Sequence, residues 1–99
     1  VKFMLQLTYE SKSGDILNII DEIKSAILKN EDTSEEINVN FTDFDSSSLN
    51  ILVMYYVTSN LYEKKIEVKQ AINIQIMEIV ERNHCKFAYP TQRLFLDKE

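Results

Sequence analysis

The side chains with the widest chemical reach in this chain are few. Its single histidine and single cysteine, His84 and Cys85, are neighbours. A thiol beside an imidazole is the pairing of a nucleophilic enzyme, but such partners are usually brought together from distant parts of a chain. Adjacent side chains in a helix-ending turn rarely bind one metal ion, and two ligands fall short of a structural zinc site. The second candidate is Asp43 with Asp45, two carboxylates at alternate positions and so on one face of an extended segment. Such a pair can hold a hard cation or exchange protons. It stands directly before Ser46-Ser47-Ser48, where turn capping explains an aspartate more simply. Asp21-Glu22, Glu31-Asp32 and Glu35-Glu36 are charge pairs of a solvated surface. Lys64, Lys65 and Lys69 are balanced by Glu63 and Glu67, so no basic stripe forms.

None of this makes a catalytic site, and composition narrows the field further. A single glycine, Gly14, cannot build a glycine-rich phosphate loop. A net charge of -5 works against binding nucleic acid or an anionic membrane through bulk charge. One cysteine cannot close an internal disulfide, which suits a reducing compartment. The longest wholly apolar run, residues 51–57, is far short of the ~20 residues a membrane helix needs, and the start carries no signal-peptide pattern. The chain opens on Val1, not Met, and runs straight into a strand pattern. It is read as a piece of a longer protein. Hydrophobic content of 44% and charged content of 27% are those of a globular chain. Its 99 residues make one domain able to bury a core without staples.

Regular elements must follow one another closely, because one glycine and one proline leave little room for long loops. The organising stretch is residues 37–58, INVNFTDFDSSSLNILVMYYVT, which reads as a β-hairpin. In its first arm Ile37, Val39 and Phe41 alternate with Asn38, Asn40 and Thr42, the period of a strand with one buried face. Asp43 and Asp45 share a face at the end of this arm, with Phe44 pointing opposite. In the second arm Ile51, Val53, Tyr55 and Val57 make one apolar face, and Leu52, Met54 and Tyr56 make another. A strand apolar on both sides belongs in the middle of a sheet.

The flanking segments complete the pattern. Phe3, Leu5, Leu7 and Tyr9 alternate with polar residues and form a first strand, with Met4 on its far face. Ser11 or Ser13 is placed to cap a helix carrying Ile16, Ile19, Ile20, Ile23 and Ile27 at helical spacing, and Lys29-Asn30 closes it. Asn60 and Glu63 have the spacing of a capping box. The second helix that follows buries Val68, Ala71, Ile72, Ile76, Ile79 and Val80, has a second apolar flank of Ile66, Ile74 and Met77, and ends at Asn83-His84. Residues 87–96 read as a last strand. Pro90 puts it at an edge, since proline cannot donate to a ladder. The order βαββαβ predicts an α+β fold, the ferredoxin-like sandwich, with a four-stranded antiparallel sheet (order 4-1-3-2) and two helices on one face. The other sheet face then carries Met4, Leu52, Met54 and Tyr56. Covering each is worth roughly 1.5 to 3 kcal/mol, so the face either takes a partner or stays partly wet.

On this fold, an RNA-binding sheet needs aromatic and basic residues on its third strand, and NILVMYYV has no lysine or arginine. A metal chaperone needs two cysteines in the first loop, and an acylphosphatase needs an arginine there; residues 9–15 have neither. A small-ligand-binding regulatory module on the same fold stays open as the alternative, although such modules typically use glycine-containing loops.

Three segments together resemble the soluble C-terminal domain of the small-conductance mechanosensitive channel (MscS) family. They are LQLTYES followed by DILNIIDEI, the hairpin VNFTDFDSSSLNILVMYYV, and VKQAINIQIMEIVERNHCKFAYPTQRLFL. The last is the most specific, with a long helix leading into F-x-Y-P-T-Q. The resemblance implies a subunit of a channel in the cell (inner) membrane that opens under bilayer tension and releases ions and small solutes on osmotic downshock. This domain would lie on the cytoplasmic side, one of seven copies in a hollow cage that filters solutes. It would do no catalysis, take no cofactor, and touch the membrane only through the missing N-terminal part. The residues matching the family's exit motif are Phe87, Tyr89, Pro90, Thr91 and Gln92, a region the resemblance marks for subunit contacts. With the open face, the expected interface is Met4, Leu52, Met54, Tyr56, Phe87, Tyr89, Pro90, Thr91 and Gln92.

Overall fold

The alternation of the hairpin and the helical spacing of the isoleucines are both realised. The structure, a computed structural model, describes residues 1–88. Its elements are β1 (Lys2–Leu7), α1 (Ser13–Lys29), β2 (Asn38–Phe44), β3 (Leu49–Met54) and α2 (Tyr62–Arg82). The described strands form one antiparallel sheet in the order β1-β3-β2, so the strand that is apolar on both faces is the central one. Leu49, Ile51 and Val53 of β3 are buried with Leu5 and Leu7 of β1 and Val39 of β2. Ile19, Ile23 and Ile27 of α1 and Val68, Ile72, Ile76, Ile79 and Val80 of α2 join the same core. Both helices therefore cover one face of the sheet.

Of the expected fourth strand, the described residues show one isolated bridge and two flanking hydrogen bonds. Leu7 pairs with Phe87 in an antiparallel bridge, the Thr8 amide donates to the Lys86 carbonyl at 3.0 Å, and the Ala88 amide donates to the Gln6 carbonyl at 2.9 Å. These contacts lie on the edge of β1 away from β3, where the expected order places that strand. The remainder of the segment expected to form that strand, including Tyr89, Pro90, Thr91 and Gln92, lies outside the described residues.

Both expected helix caps differ from the structure. Lys12 occupies the N-cap of α1 and Leu61 that of α2, neither with a capping side chain. The Ser11 hydroxyl donates to the Thr8 carbonyl instead, closing the β1–α1 turn. Ser59, not Asn60, supplies the oxygen that accepts a proton before α2, from the Leu61 amide at 3.1 Å. Acidic residues do stand in both first turns, Asp15 and Glu63, where they oppose the positive end of the helix dipole.

The hairpin holds the largest departure from strict alternation. Asn40 pairs with Leu52 and Phe41 with Ile51, but Asp43, not Thr42, pairs with Asn50, leaving Thr42 as a bulge. Unbroken alternation would set Asp43 beside Phe41 on the helix side. The extra residue reverses this, sending Asp43 to the open face and Phe44 to the helix side opposite Leu49. Asp45 closes the turn as expected: its amide donates to the Ser48 carbonyl at 2.8 Å, and its carboxylate accepts from the Ser46 amide at 2.7 Å.

Tyr55 continues the inward face past β3. Its backbone exchanges hydrogen bonds with Val1, and its side chain is fully buried. Among the described residues its hydroxyl has no hydrogen-bond partner, and burial raises its pKa. An unpaired buried hydroxyl carries a desolvation penalty of roughly 1 to 3 kcal/mol. Tyr55→Phe is therefore expected to raise unfolding stability by about 1 kcal/mol in urea denaturation. A loss of that size would mean that the hydroxyl is satisfied in solution.

Candidate functional site

The two sequence candidates for chemistry resolve into structural roles. Asn83 ends α2, His84 follows in the left-handed region with φ of 60°, and the chain turns away. The Cys85 amide donates to the Val80 carbonyl at 3.1 Å and the His84 amide to the Glu81 carbonyl at 3.0 Å, the two bonds of a Schellman helix end. This turn exposes the His84 side chain and buries Cys85, so imidazole and thiol do not share an environment. Asp45 is committed to its turn, and Asp43 lies on the open face opposite Asn50. Among the described residues, no group of three or more His, Cys, Asp or Glu side chains is placed to hold a metal ion.

The densest polar cluster joins the helices. Glu22 of α1 accepts two hydrogen bonds from the Arg82 guanidinium, at 3.0 and 2.9 Å, and one from the Asn83 amide. Asn83 also donates to the Ile79 carbonyl at 2.8 Å, so one buried amide caps α2 and ties it to α1. At the other end of the helix pair, Lys64 lies 3.2 Å from Asp32 and 3.7 Å from Glu67. A groove of about 460 Å³ between the helices presents Asp21, Glu22 and Glu78 with Lys29 and Arg82, a mixed and partly neutralised surface.

The open face is ordered by the ladder. Lys2, Met54 and Asn38 form one rung, Met4, Leu52 and Asn40 the next, and Gln6, Asn50 and Asp43 the third. Met4 is 41% exposed, and Leu52 and Met54 are half-buried. Thus three of the expected interface residues lie together on adjacent rungs. Tyr56 does not sit on those rungs. It follows the end of β3 and borders a cleft of about 340 Å³ with Val57 and with Tyr62 and Ile66 of α2. Phe87 is half-buried against the core at the β1 edge.

One site was not anticipated from the sequence. A cleft of about 390 Å³ opens between the first turns of α1 and the bulged end of β2, walled by Ile16, Leu17, Ile20, Phe41, Phe44 and Leu49. Phe41 and Phe44 meet edge to face with ring centroids 5.1 Å apart. The only sequence signal for it is the three-residue spacing of the two phenylalanines, which alternation alone would put on opposite faces.

A small α+β domain of two helices on an antiparallel sheet, with an apolar patch left on the uncovered side, defines the class. The chain belongs to the MscS mechanosensitive ion channel family, whose C-terminal domain it matches over residues 1–87. It is 35% identical over 100 residues to an MscS family protein of Aquifex aeolicus, covering 99% of this chain and 27% of that protein. It is 32% identical over 103 residues to the large-conductance mechanosensitive channel MscMJLR of Methanocaldococcus jannaschii, covering all of this chain and 28% of the channel. It is 30% identical over 94 residues to the low conductance mechanosensitive channel YnaI of Escherichia coli, covering 92% of this chain and 27% of that protein. The chain therefore spans little more than a quarter of the length of these relatives. Among its described residues no helix is long and apolar enough to cross a membrane.

Two outcomes follow from the helix ends. His84→Gly removes the steric cost of a left-handed Cβ and is expected to stabilise the fold by about 1 kcal/mol, read as a raised thermal midpoint. Glu22 gives a pH dependence. The Asn83 hydrogen bond, foremost, and Arg82 lower its pKa from the ordinary 4.5, against desolvation. A lowered folded-state pKa stabilises the fold fully above the unfolded value and ceases to do so as pH falls through the folded one. Because the carboxylate is 35% exposed, solvent screening keeps the effect small. Glu22→Gln should cost on the order of 1 kcal/mol at pH 7, and the difference from the parent chain should shrink below about pH 4.5 in acid titrations of unfolding.

Proposed function

We infer that this chain is the cytoplasmic cage domain of a tension-gated mechanosensitive channel that releases ions and small solutes on osmotic downshock. The domain assembles and filters; it performs no catalysis. In this reading residues 1–99 are a C-terminal piece of a longer membrane protein, seven copies surround a vestibule below the pore, and the membrane is touched only by the remainder of the protein. The observation that carries the reading is the row of Met4, Leu52 and Met54 on a sheet face without helices, in a chain that matches the MscS C-terminal domain from end to end of its described elements. Subunit contacts form on this row and at Tyr56 and Phe87, and the exit-motif residues Tyr89, Pro90, Thr91 and Gln92 take part in them. Even partial burial of three large side chains, each worth up to roughly 1.5 to 3 kcal/mol when fully covered, gives a ring many weak but repeated contacts.

The test is Met54→Lys in the full-length protein, read by light scattering after chromatography. The half-buried Met54 side chain points away from the core, so the folded chain is expected to keep its unfolding midpoint within about 0.5 kcal/mol, while the assembly dissociates or loses subunits. An intact assembly of unchanged mass removes the open face from the interface. The reading frame upstream of Val1 gives an independent check: it should encode several apolar stretches of about 20 residues.

A further inference from the structure

The α1–β2 cleft is unlike the other concavities of the described residues. The groove between the helices presents carboxylates and cations, and the cleft beside Tyr56 includes Lys65 and Lys69. Here, among the described residues, no charged side chain lines the wall, in a chain of which 27% is charged. Four aliphatic side chains and two phenylalanines make the surface, and its polar edge is Tyr9, Ser11 and Ser13. The Ser11 hydroxyl proton is already given to the Thr8 carbonyl, which leaves Tyr9 and Ser13 to meet an occupant.

The cleft also keeps large apolar side chains in water. Phe44 is 75% exposed, Leu17 63%, Tyr9 49% and Phe41 39%. Without the bulge at Thr42, Phe44 would lie on the opposite side of the sheet. A bulge that re-aims a side chain is a recurrent device next to binding sites. Apolar pockets with a few polar groups at one edge, and volumes of about 300 to 1,000 Å³, are the usual form of small-molecule sites. A closed apolar cavity of about 150 Å³ takes up benzene, so about 390 Å³ has room for two fused rings with part of the molecule still in solvent.

We propose that this cleft binds a neutral, apolar small molecule of one or two rings, seated between Leu17 and the Phe41–Phe44 pair. Charged ligands are disfavoured because burying a charge against this wall finds no counter-ion. The site lies on the helix side of the sheet, away from Met4, Leu52 and Met54, so its occupancy does not depend on the assembly reading above.

The experiment is a titration of the isotope-labelled 99-residue chain with indole as the neutral probe and benzoate as the charged one, followed by amide and methyl shifts. Saturable indole shifts confined to Ile16, Leu17, Ile20, Phe41, Phe44 and Leu49 are expected, with benzoate at least tenfold weaker. Leu17→Glu, at a largely exposed position the fold tolerates, should weaken indole at least tenfold. Phe44→Ala should do the same while the spectrum stays dispersed. Shifts that fail to saturate, that spread over the Met4–Met54 face, or that survive both substitutions overturn the proposal. So do cleft shifts that depend on protein concentration without indole, which would make a second copy the occupant.

Discussion

The pairing of β3 on both of its edges is the constraint from which the rest of the structure follows. Its residues must match β1 on one side and β2 on the other, and only one of its faces can meet the helices. Leu49, Ile51 and Val53 take that face and are almost completely buried. The register leaves Asn50, Leu52 and Met54 no choice but the other. An apolar residue on an uncovered face is thus not a defect of packing at one position. A one-residue slip would move every side chain of the strand to the wrong side, and the fully buried Ile51 and Val53 make such a slip far more costly than exposing Leu52 and Met54.

The bulge at Thr42 modifies this scheme at one end only. It leaves Asp43 opposite Asn50, and with Gln6 across the sheet the open face ends in a polar rung. Buried Asn50 accepts a hydrogen bond from the Ser48 hydroxyl at 2.7 Å, so the rung is held from the turn as well. The face is therefore apolar at Met4, Leu52 and Met54, with Lys2 and Asn38 flanking Met54 and a fully polar rung toward the hairpin turn. A partner covering the first two rungs would gain apolar contact, and one extending over the third would have to satisfy Asp43 and Gln6. The same extra residue takes a phenylalanine off the open face and delivers it to the helix side, where it meets Phe41 edge to face and stays 75% exposed.

Much of this was legible in the sequence, and the limits are physical. Isoleucines at helical spacing located α1, and a segment apolar on both faces located the centre of the sheet, because those patterns report burial directly. Met4, Leu52 and Met54 were placed together because alternation fixes their side once β3 is central. Tyr56 lies past the end of β3 and borders the cleft beside α2, so the ladder does not fix it beside those three. The caps differ because several hydroxyl and amide side chains crowd each helix start, yet Lys12 and Leu61 take the N-cap positions and no side chain caps either helix. The cleft could not be read because it depends on a single unpaired residue in β2, and Thr42 has nothing in its type that announces a bulge.

The helix ends show how the two layers are kept in step. Glu22 reaches from the middle of α1 to Arg82 and Asn83 at the end of α2, and Asn83 simultaneously caps its own helix. One residue later His84 turns left-handed, and by Phe87 the chain is paired with Leu7 of β1. The path from helix to sheet edge takes only a few residues, so the Asn83–Glu22 contact and the pairing with β1 hold neighbouring points of the chain. Loosening that contact would disturb the end of α2 and the Phe87 bridge together. The polar link between the helices therefore also helps fix where the chain reaches β1, at the Phe87 bridge.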